Sequence, residues 1–172
     1  MKKLLTFLII VLLVMPSFGQ EDDKKTSEGS TYYFIRHAEK NRSDKYVKDP
    51  SLVIDGILRA AKWSIVFDNI KFDAIYSTDY YRTRETAQPT AEKNKIDITL
   101  YDPKNMDTKA FLESIKGQTV LIVGHSNTTP MFVNAIIGED KYKQIDDNIN
   151  GNLYIVMISK SGEFNDTLLS ID

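Results

Sequence analysis

Two histidines occur in the chain, and each comes directly after an apolar run. His37 stands in "TYYFIRHAEK" after Tyr32–Arg36, and His125 stands in "TVLIVGHSNTT" after Thr119–Gly124. A single histidine at the end of a strand is commonly structural. Two in equivalent positions point to a shared site, because strands side by side in one sheet would bring the imidazoles face to face. Arg36 adjoins His37. Arg82 and Arg84 lie in "STDYYRTRETA", at the start of an expected helix, where free backbone N–H groups favour an anion. Arginine adds a planar fork of donors that suits phosphate oxygens, although Arg84 also reads as part of a solvated helix face. A cationic cluster in an acidic chain implies an anionic ligand, and phosphate fits best. A neutral imidazole can attack phosphorus and carry the phosphoryl group covalently. Arg36, Arg82 and His125 are then expected to hold the non-bridging oxygens.

The elements that would position these groups alternate. Strands are expected at 32–36, 72–78, 96–101 and 119–124, the last fully apolar and therefore central. Helices are expected at 56–70, 79–94, 107–115 and 128–137. In the first Ile57, Ala60, Ala61, Ile65 and Val66 recur at three- and four-residue spacing, the second would be disturbed at Pro89, and Asp107 would cap the third. Residues 41–55 read as a polar loop, and 152–159 with 164–171 as a C-terminal hairpin. Alternation of this kind predicts an α/β fold of three layers, with a mostly parallel mixed sheet flanked by helices. Ligands in such sheets bind beyond the C-terminal strand ends, where Arg36–His37, Ser77–Thr78 and His125–Ser126 all fall. Gly124 is expected to permit a tight turn there.

The first twenty residues, "MKKLLTFLIIVLLVMPSFGQ", have two lysines, an apolar run over Leu4–Met15, then Pro16 and small residues. That is the layout of a secretory signal peptide, and twelve apolar residues are too few to span a bilayer. Residues 21–30 read as a flexible leader and 31–172 as one domain. Localisation is therefore expected to be exported, periplasmic or secreted, with no stable membrane span after cleavage. Of 22 Lys and Arg, removal of Lys2 and Lys3 leaves 20 against 24 Asp and Glu, a charge of −4. This balance argues against a nucleic-acid partner. With no cysteine, disulfides, thiol chemistry, zinc–thiolate sites and a lipoprotein anchor are excluded.

Four stretches together resemble the histidine phosphatase superfamily, in its phosphoglycerate-mutase-like branch (branch 1). "FIRHAEK" is similar to its Arg-His-Gly motif, "LVIDGILRA" to its Leu-Thr-x-x-Gly helix start, and "TDYYRTRETA" to its Ser/Thr-x-x-x-Arg-x-x-x-Thr-Ala block. "GHS" at 124–126 is similar to its late Gly-His-Ser. The motifs occur in order and span nearly all of residues 32–137. The resemblance implies a phosphoglycerate-mutase-like sheet, His37 as nucleophile, and Arg36, Arg82 and His125 in the phosphate pocket. It also implies catalysis without metal or other cofactor. Arg84 does not hold the family arginine position. Ala38 replaces a glycine, and Val53 replaces a threonine that would cap the following helix, so Asp55 is the candidate cap.

A leaving alcohol needs an acid. Asp102 in "LYDPKN" matches the family position best, though Asp-Pro is also a common turn. Glu39, two residues from His37, is the rival. Asn127, Asn41, Arg42 and Lys45 are further candidates to touch substrate, with Asn127 equally a helix cap, and Trp63 and the tyrosine pairs 32–33 and 80–81 are expected in the core or cleft wall. The expected activity is hydrolysis of phosphomonoesters, on a phosphorylated small molecule or a phosphoprotein. The alternative is a catalytically weak or inactive phosphate-binding protein of the same fold. A two-histidine metal site with Asp102 or Glu39 is disfavoured by the arginines beside it.

Overall fold

Ser30–Arg36 form β1, which pairs in parallel with β4 (Thr119–Gly124) and antiparallel with β5 (Asn152–Ile158). This computed structural model describes residues 29–171. The expected signal peptide, 1–20, and the expected leader up to residue 28 lie outside the described residues. Ser30, read from sequence as the end of the leader, already belongs to β1.

Six strands run in the order β3 (Ile98–Tyr101), β2 (Ala74–Thr78), β4, β1, β5 and β6 (Phe164–Ser170). The first four are mutually parallel, and β5 and β6 close the other edge as an antiparallel hairpin. Among the described residues four helices cover the sheet: α1 (Ile54–Val66), α2 (Tyr81–Asn94), α3 (Thr108–Ser114) and α4 (Thr128–Ile137). The expected three-layer, mostly parallel mixed sheet is the one found. No described helix is long and apolar enough to cross a membrane.

The period-2 alternation of strands divides the core in two. Tyr32, Phe34, Val120, Ile122, Tyr154 and Val156 pack on Phe132, Val133 and Ile137 of α4. Ile35, Leu121, Val123 and Ile75 pack on Trp63, Phe67, Ala87 and Ala91 from the side of α1 and α2. Residues Val120–Val123 of β4 are all buried, as a central strand requires.

Several expectations are corrected. The buried face of α1 is Gly56, Ala60 and Trp63, continued by Phe67, whereas Ile57 and Ile65 are exposed. The helical period was legible but its phase was not, because apolar residues lie on two faces. Val53 is the N-cap of α1 and makes no side-chain cap bond, while Asp55 sits inside the first turn, where its charge favours the helix dipole instead. α2 continues through Pro89. Asp107 does cap α3, accepting from the N–H groups of Lys109 and Ala110.

Gly56 has a steric reason. A Cβ there would lie 2.2 Å from the carbonyl oxygen of Glu39, so α1 rests directly on the chain leaving β1. Helix propensity alone would make Gly56→Ala stabilising by about 1 kcal/mol. The clash is with backbone, so we expect the opposite sign, a loss of about 1–3 kcal/mol, read from the midpoint of urea unfolding.

Candidate active site

Both histidines emerge at the same sheet edge because β1 and β4 pair in parallel, with Arg36 opposite Gly124. Their ring centroids are 5.5 Å apart, inclined at 67°. They line a cleft of about 1090 Å³ with Arg36, Arg82, Thr78, Tyr80 and Asp102.

His37 is 4% exposed. Its Nδ1 lies 2.7 Å from the carbonyl oxygen of Ala38. A carbonyl only accepts, so Nδ1 carries the proton and Nε2 keeps its lone pair. Burial pushes the imidazole pKa down to about 3, aided by the positive charges of Arg36 and Arg82 and by His125. The ring is neutral at pH 7. The backbone around it is fixed from three sides: its N–H donates to Gly124 O, its carbonyl accepts from Asn150 Nδ2, and Ala38 N–H donates to Thr86 Oγ1.

His125 is held differently. Its Nε2 lies 2.9 Å from Thr78 Oγ1. The Thr83 hydroxyl donates to the carbonyls of Thr78 and Tyr80, so Thr78 donates to Thr83 Oγ1 at 3.0 Å. Thr78 must then accept from His125, which places the proton on Nε2 and leaves Nδ1 free. Burial, with Arg82, Lys40 and Arg36, pushes this pKa down to about 4. The Tyr80 ring stands perpendicular to His125 at 5.0 Å, and the Arg82 guanidinium lies 4.3 Å from the Tyr80 centroid.

The two arginines are deeply held. Arg36 is 1% exposed. Its Nη1 donates to the carbonyls of Asp146, Asp147 and Ile149, and its Nη2 to Asp147 Oδ1 at 2.8 Å. Arg82 Nη1 reaches Asp49 Oδ1 at 3.3 Å. In both residues the buried Nε has no partner. Arg84 instead pairs with Asp79 and packs on the Tyr81 ring, away from the cleft.

Asp102 lines the cleft but also closes a turn, its Oδ1 accepting from Lys104 N–H and its Oδ2 from Asn105 Nδ2. Glu39 does not line the cleft and pairs with Arg59 Nε at 2.8 Å. Asn127 lines the cleft and stands at the N-cap position of α4, without a side-chain cap bond. Thr128 Oγ1 accepts from His125 N–H in that turn. Asn41 folds into a local turn with Ser43, Arg42 pairs with Asp147, and Lys45 lies by Tyr46; none of the three lines the cleft. Trp63 and Tyr32 are core, while Tyr80 is cleft wall. Gly124 has no positive φ. It is needed for close approach, since a Cβ would lie 2.8 Å from Thr129 Oγ1.

Sequence reasoning missed Lys40, Lys104 and Asp147, all of which line the cleft. Hydrogen bonds from Arg42 and Arg36 hold the Asp147 carboxyl down at about 2. It also missed what Thr78 and Thr86 do, although both are outer positions of the quoted "TDYYRTRETA". That block is a single device: Thr78 orients His125, Arg82 enters the cleft, and Thr86 holds Ala38.

Two neutral histidines, His37 buried and His125 partly buried, make stability depend on pH. Each binds its proton in the unfolded chain near pH 6.5 but in the folded one only near 3 or 4. Between these values the unfolded state takes up more protons, so stability falls as pH falls below 6.5. We expect a loss of about 2 kcal/mol per histidine by pH 5, seen in thermal melts at pH 7.5 and 5, with His37→Gln removing roughly half of the dependence.

The parallel sheet edge thus brings together buried His37, partly buried His125 and the buried arginines Arg36 and Arg82, a cationic cleft suited to an anion. Residues 32–103 match the family model of the histidine phosphatase superfamily (branch 1). That match, over the part of the chain that carries Arg36, His37 and Arg82, supports phosphatase activity. No curated protein matches the sequence. Among solved structures it is similar to Bacillus stearothermophilus YhfR (TM-score 0.66, 16% identity, 83% of this chain and 98% of that one). It is also similar to the phosphoserine phosphatase of Entamoeba histolytica in complex with 3-phosphoglyceric acid (0.65, 15%, 83% and 98%). A third is the protein histidine phosphatase SixA complexed with tungstate (0.66, 12%, 81% and 96%). At these identities the likeness is one of fold.

Proposed function

We propose that the protein is an exported phosphatase that hydrolyses phosphomonoesters through a phosphohistidine at His37. The observation that carries this reading is the pair of unpartnered Nε–H donors on Arg36 and Arg82, in the cleft that holds both imidazoles. A buried donor without an acceptor costs about 1–3 kcal/mol, a cost relieved when a phosphoryl group supplies oxygens. His37 Nε2 attacks phosphorus as the bond to the leaving oxygen breaks, and Asp102 gives that oxygen its proton. Water then attacks the phosphohistidine, returning a proton to Asp102 and releasing inorganic phosphate. Arg36, Arg82 and His125 hold the non-bridging oxygens. The incoming negative charge favours a second proton on His125, at Nδ1, which can then donate to one of them.

Asp102 is exposed and bonded within its turn, and Asp79 and Asp147 are paired with arginines. Proton donation is therefore the weakest part of the machinery, which favours substrates with good leaving groups. The same fact favours the second reading, a phosphate-binding protein with little turnover. Among the described residues no group of three His, Asp or Glu side chains could hold a metal ion. The cleft would take a phosphorylated small molecule or a side chain of a phosphoprotein, as the fold neighbours named for phosphoserine and protein phosphohistidine do. Export rests on the layout of residues 1–20.

The test is hydrolysis of para-nitrophenyl phosphate, with and without a chelator, followed by acid and base treatment of the phosphoenzyme. Turnover that survives the chelator, with an acid-labile and base-stable phosphoenzyme, supports the reading. Phosphate binding without turnover favours the second. Asp102→Asn is expected to lower kcat more for phenyl phosphate than for para-nitrophenyl phosphate, because the poorer leaving group needs the acid.

A further inference from the structure

Arg82 is held unlike Arg36. Arg36 spends both Nη atoms on segment 146–149 and keeps only Nε for the cleft. The Arg82 guanidinium has one acceptor among the described residues, Asp49 Oδ1, on Nη1. Its face lies on the Tyr80 ring. In any guanidinium Nε and Nη2 share one edge with parallel N–H groups, a fork that matches two oxygens of one anion. Tyr80 thus sets the plane of the fork, and Asp49 sets its direction within that plane.

The loop that carries Asp49 is itself clipped to α2. Its base is closed by the bridge between Lys40 and Leu52 and by the Asn41 N–H on the Ser51 carbonyl. Residues 41–48 are exposed, whereas Asp49 is partly buried and Pro50 buried. Pro50 biases Asp49 toward extended backbone. The Tyr81 N–H donates to Asp49 Oδ1 at 3.0 Å and to Oδ2 at 3.2 Å. The Leu52 N–H donates to Glu85 Oε2, about one turn further along α2, at 2.7 Å. α2 has no acidic residue in its first turn, and its N-cap, Tyr80, makes no side-chain cap bond. Asp49 supplies both the cap and the negative charge from outside the helix. A cap alone does not call for a carboxylate, since asparagine and serine serve as well. The charge matters beside Arg82, where burial pulls the guanidinium pKa down and Asp49 pushes it back.

We propose that Asp49 is a positioning residue for phosphoryl transfer. Fixed at the start of α2, it pins Arg82 Nη1 so that the Nε–Nη2 edge is presented to the phosphoryl oxygens before substrate arrives. The inference rests on the reading of Arg82 as a phosphoryl ligand. Asp49 does not line the cleft, so it acts through Arg82 and not on substrate. A guanidinium free to turn would have to be ordered during binding, which lowers affinity. A small misplacement of such a group also costs rate.

The test is kcat/KM for para-nitrophenyl phosphate in Asp49→Asn and Asp49→Ser, with the affinity for inorganic phosphate read by calorimetry. Both variants keep an oxygen for the Tyr81 N–H and lose the charge that faces Arg82. Each is expected to lower kcat/KM and phosphate affinity about tenfold, with little change in the urea midpoint. In an Arg82→Met background the same substitutions should change either quantity by less than about twofold, because residues that act through one another are not additive. A fall as large in that background overturns the proposal, since Asp49 would then act through the fold of its loop. So does a loss that tracks a fall in the urea midpoint, and so do unchanged kcat/KM and phosphate affinity in the single variants. Tighter phosphate binding also overturns it, because Asp49 would then compete with phosphate for Arg82. All these results leave Arg82 as a phosphoryl ligand. An Arg82→Met variant with unchanged hydrolysis and phosphate affinity removes that reading, and the inference with it. Phosphate affinity carries the same comparison if turnover is slow.

Discussion

His37→Ala is expected to lower kcat toward para-nitrophenyl phosphate by at least about 10³-fold, with phosphate still bound. Loss of a covalent nucleophile leaves only binding and electrostatic stabilisation, and effects of this order accompany such removals. Two features of the site argue for so large an effect. Nδ1 is committed to Ala38 O, so Nε2 is the nitrogen free to attack, and the ring is neutral far below pH 7, so it is always available. His125 is assigned another role, because its Nε2 is committed to Thr78 and its free Nδ1 is the atom proposed to donate to a phosphoryl oxygen. Rapid-quench measurement should show phosphate incorporated stoichiometrically in the parent chain and none in the variant. An acid-labile phosphoenzyme in His37→Ala would move the nucleophile elsewhere.

Arg36→Met is expected to damage folding and turnover together. The guanidinium donates to three carbonyls and one carboxylate of residues 146–149, while its Nε is free to donate into the cleft. Methionine fills similar volume but donates nothing. Carbonyls that lose their donor cost about 1 kcal/mol each if they stay buried, so a total loss of about 2–4 kcal/mol is reasonable. The same change removes a charged donor to the phosphoryl oxygens, for which we expect a fall in kcat/KM of about 10²-fold or more. Urea unfolding and initial rates on the same preparation separate the two effects. Arg36→Lys should recover part of the phosphate affinity but little of the stability, since one ammonium cannot span three carbonyls. A stable Arg36→Met variant would mean that segment 146–149 is held by other contacts.

The strands, the helices and the gathering of Arg36, His37 and His125 at one sheet edge were legible because each obeys a short-range rule. Apolar runs such as Val120–Val123 mark a buried strand, and a parallel sheet brings the residues at the C-terminal ends of such runs to one edge. The inner face of α1 was not legible, because Ile57 and Ile65 look like core residues and yet face solvent. Nor was Asp147, which sits in "EDKYKQIDDNIN", a stretch with no hydrophobic period. Its place depends on Arg36, more than a hundred residues earlier. The roles of Thr78 and Thr86 were half-legible: their spacing around Arg82 is in the sequence, but the atoms they hold belong to other strands.

The placement of β4 between β1 and β2 has a consequence for when activity can arise during synthesis. β1 is the first strand made, yet the strand that lies beside it in parallel is the fourth, and the side chain that clasps the His37 carbonyl is Asn150. A nascent chain that has left the ribosome only as far as β2 holds Arg36 and His37 but neither β4 nor the 146–150 segment. Such an intermediate has no assembled phosphate pocket. Pairing at this separation is slow, because the loop must close before the contacts can reward it. The pocket would therefore assemble late and all at once, only after nearly the whole chain has been made.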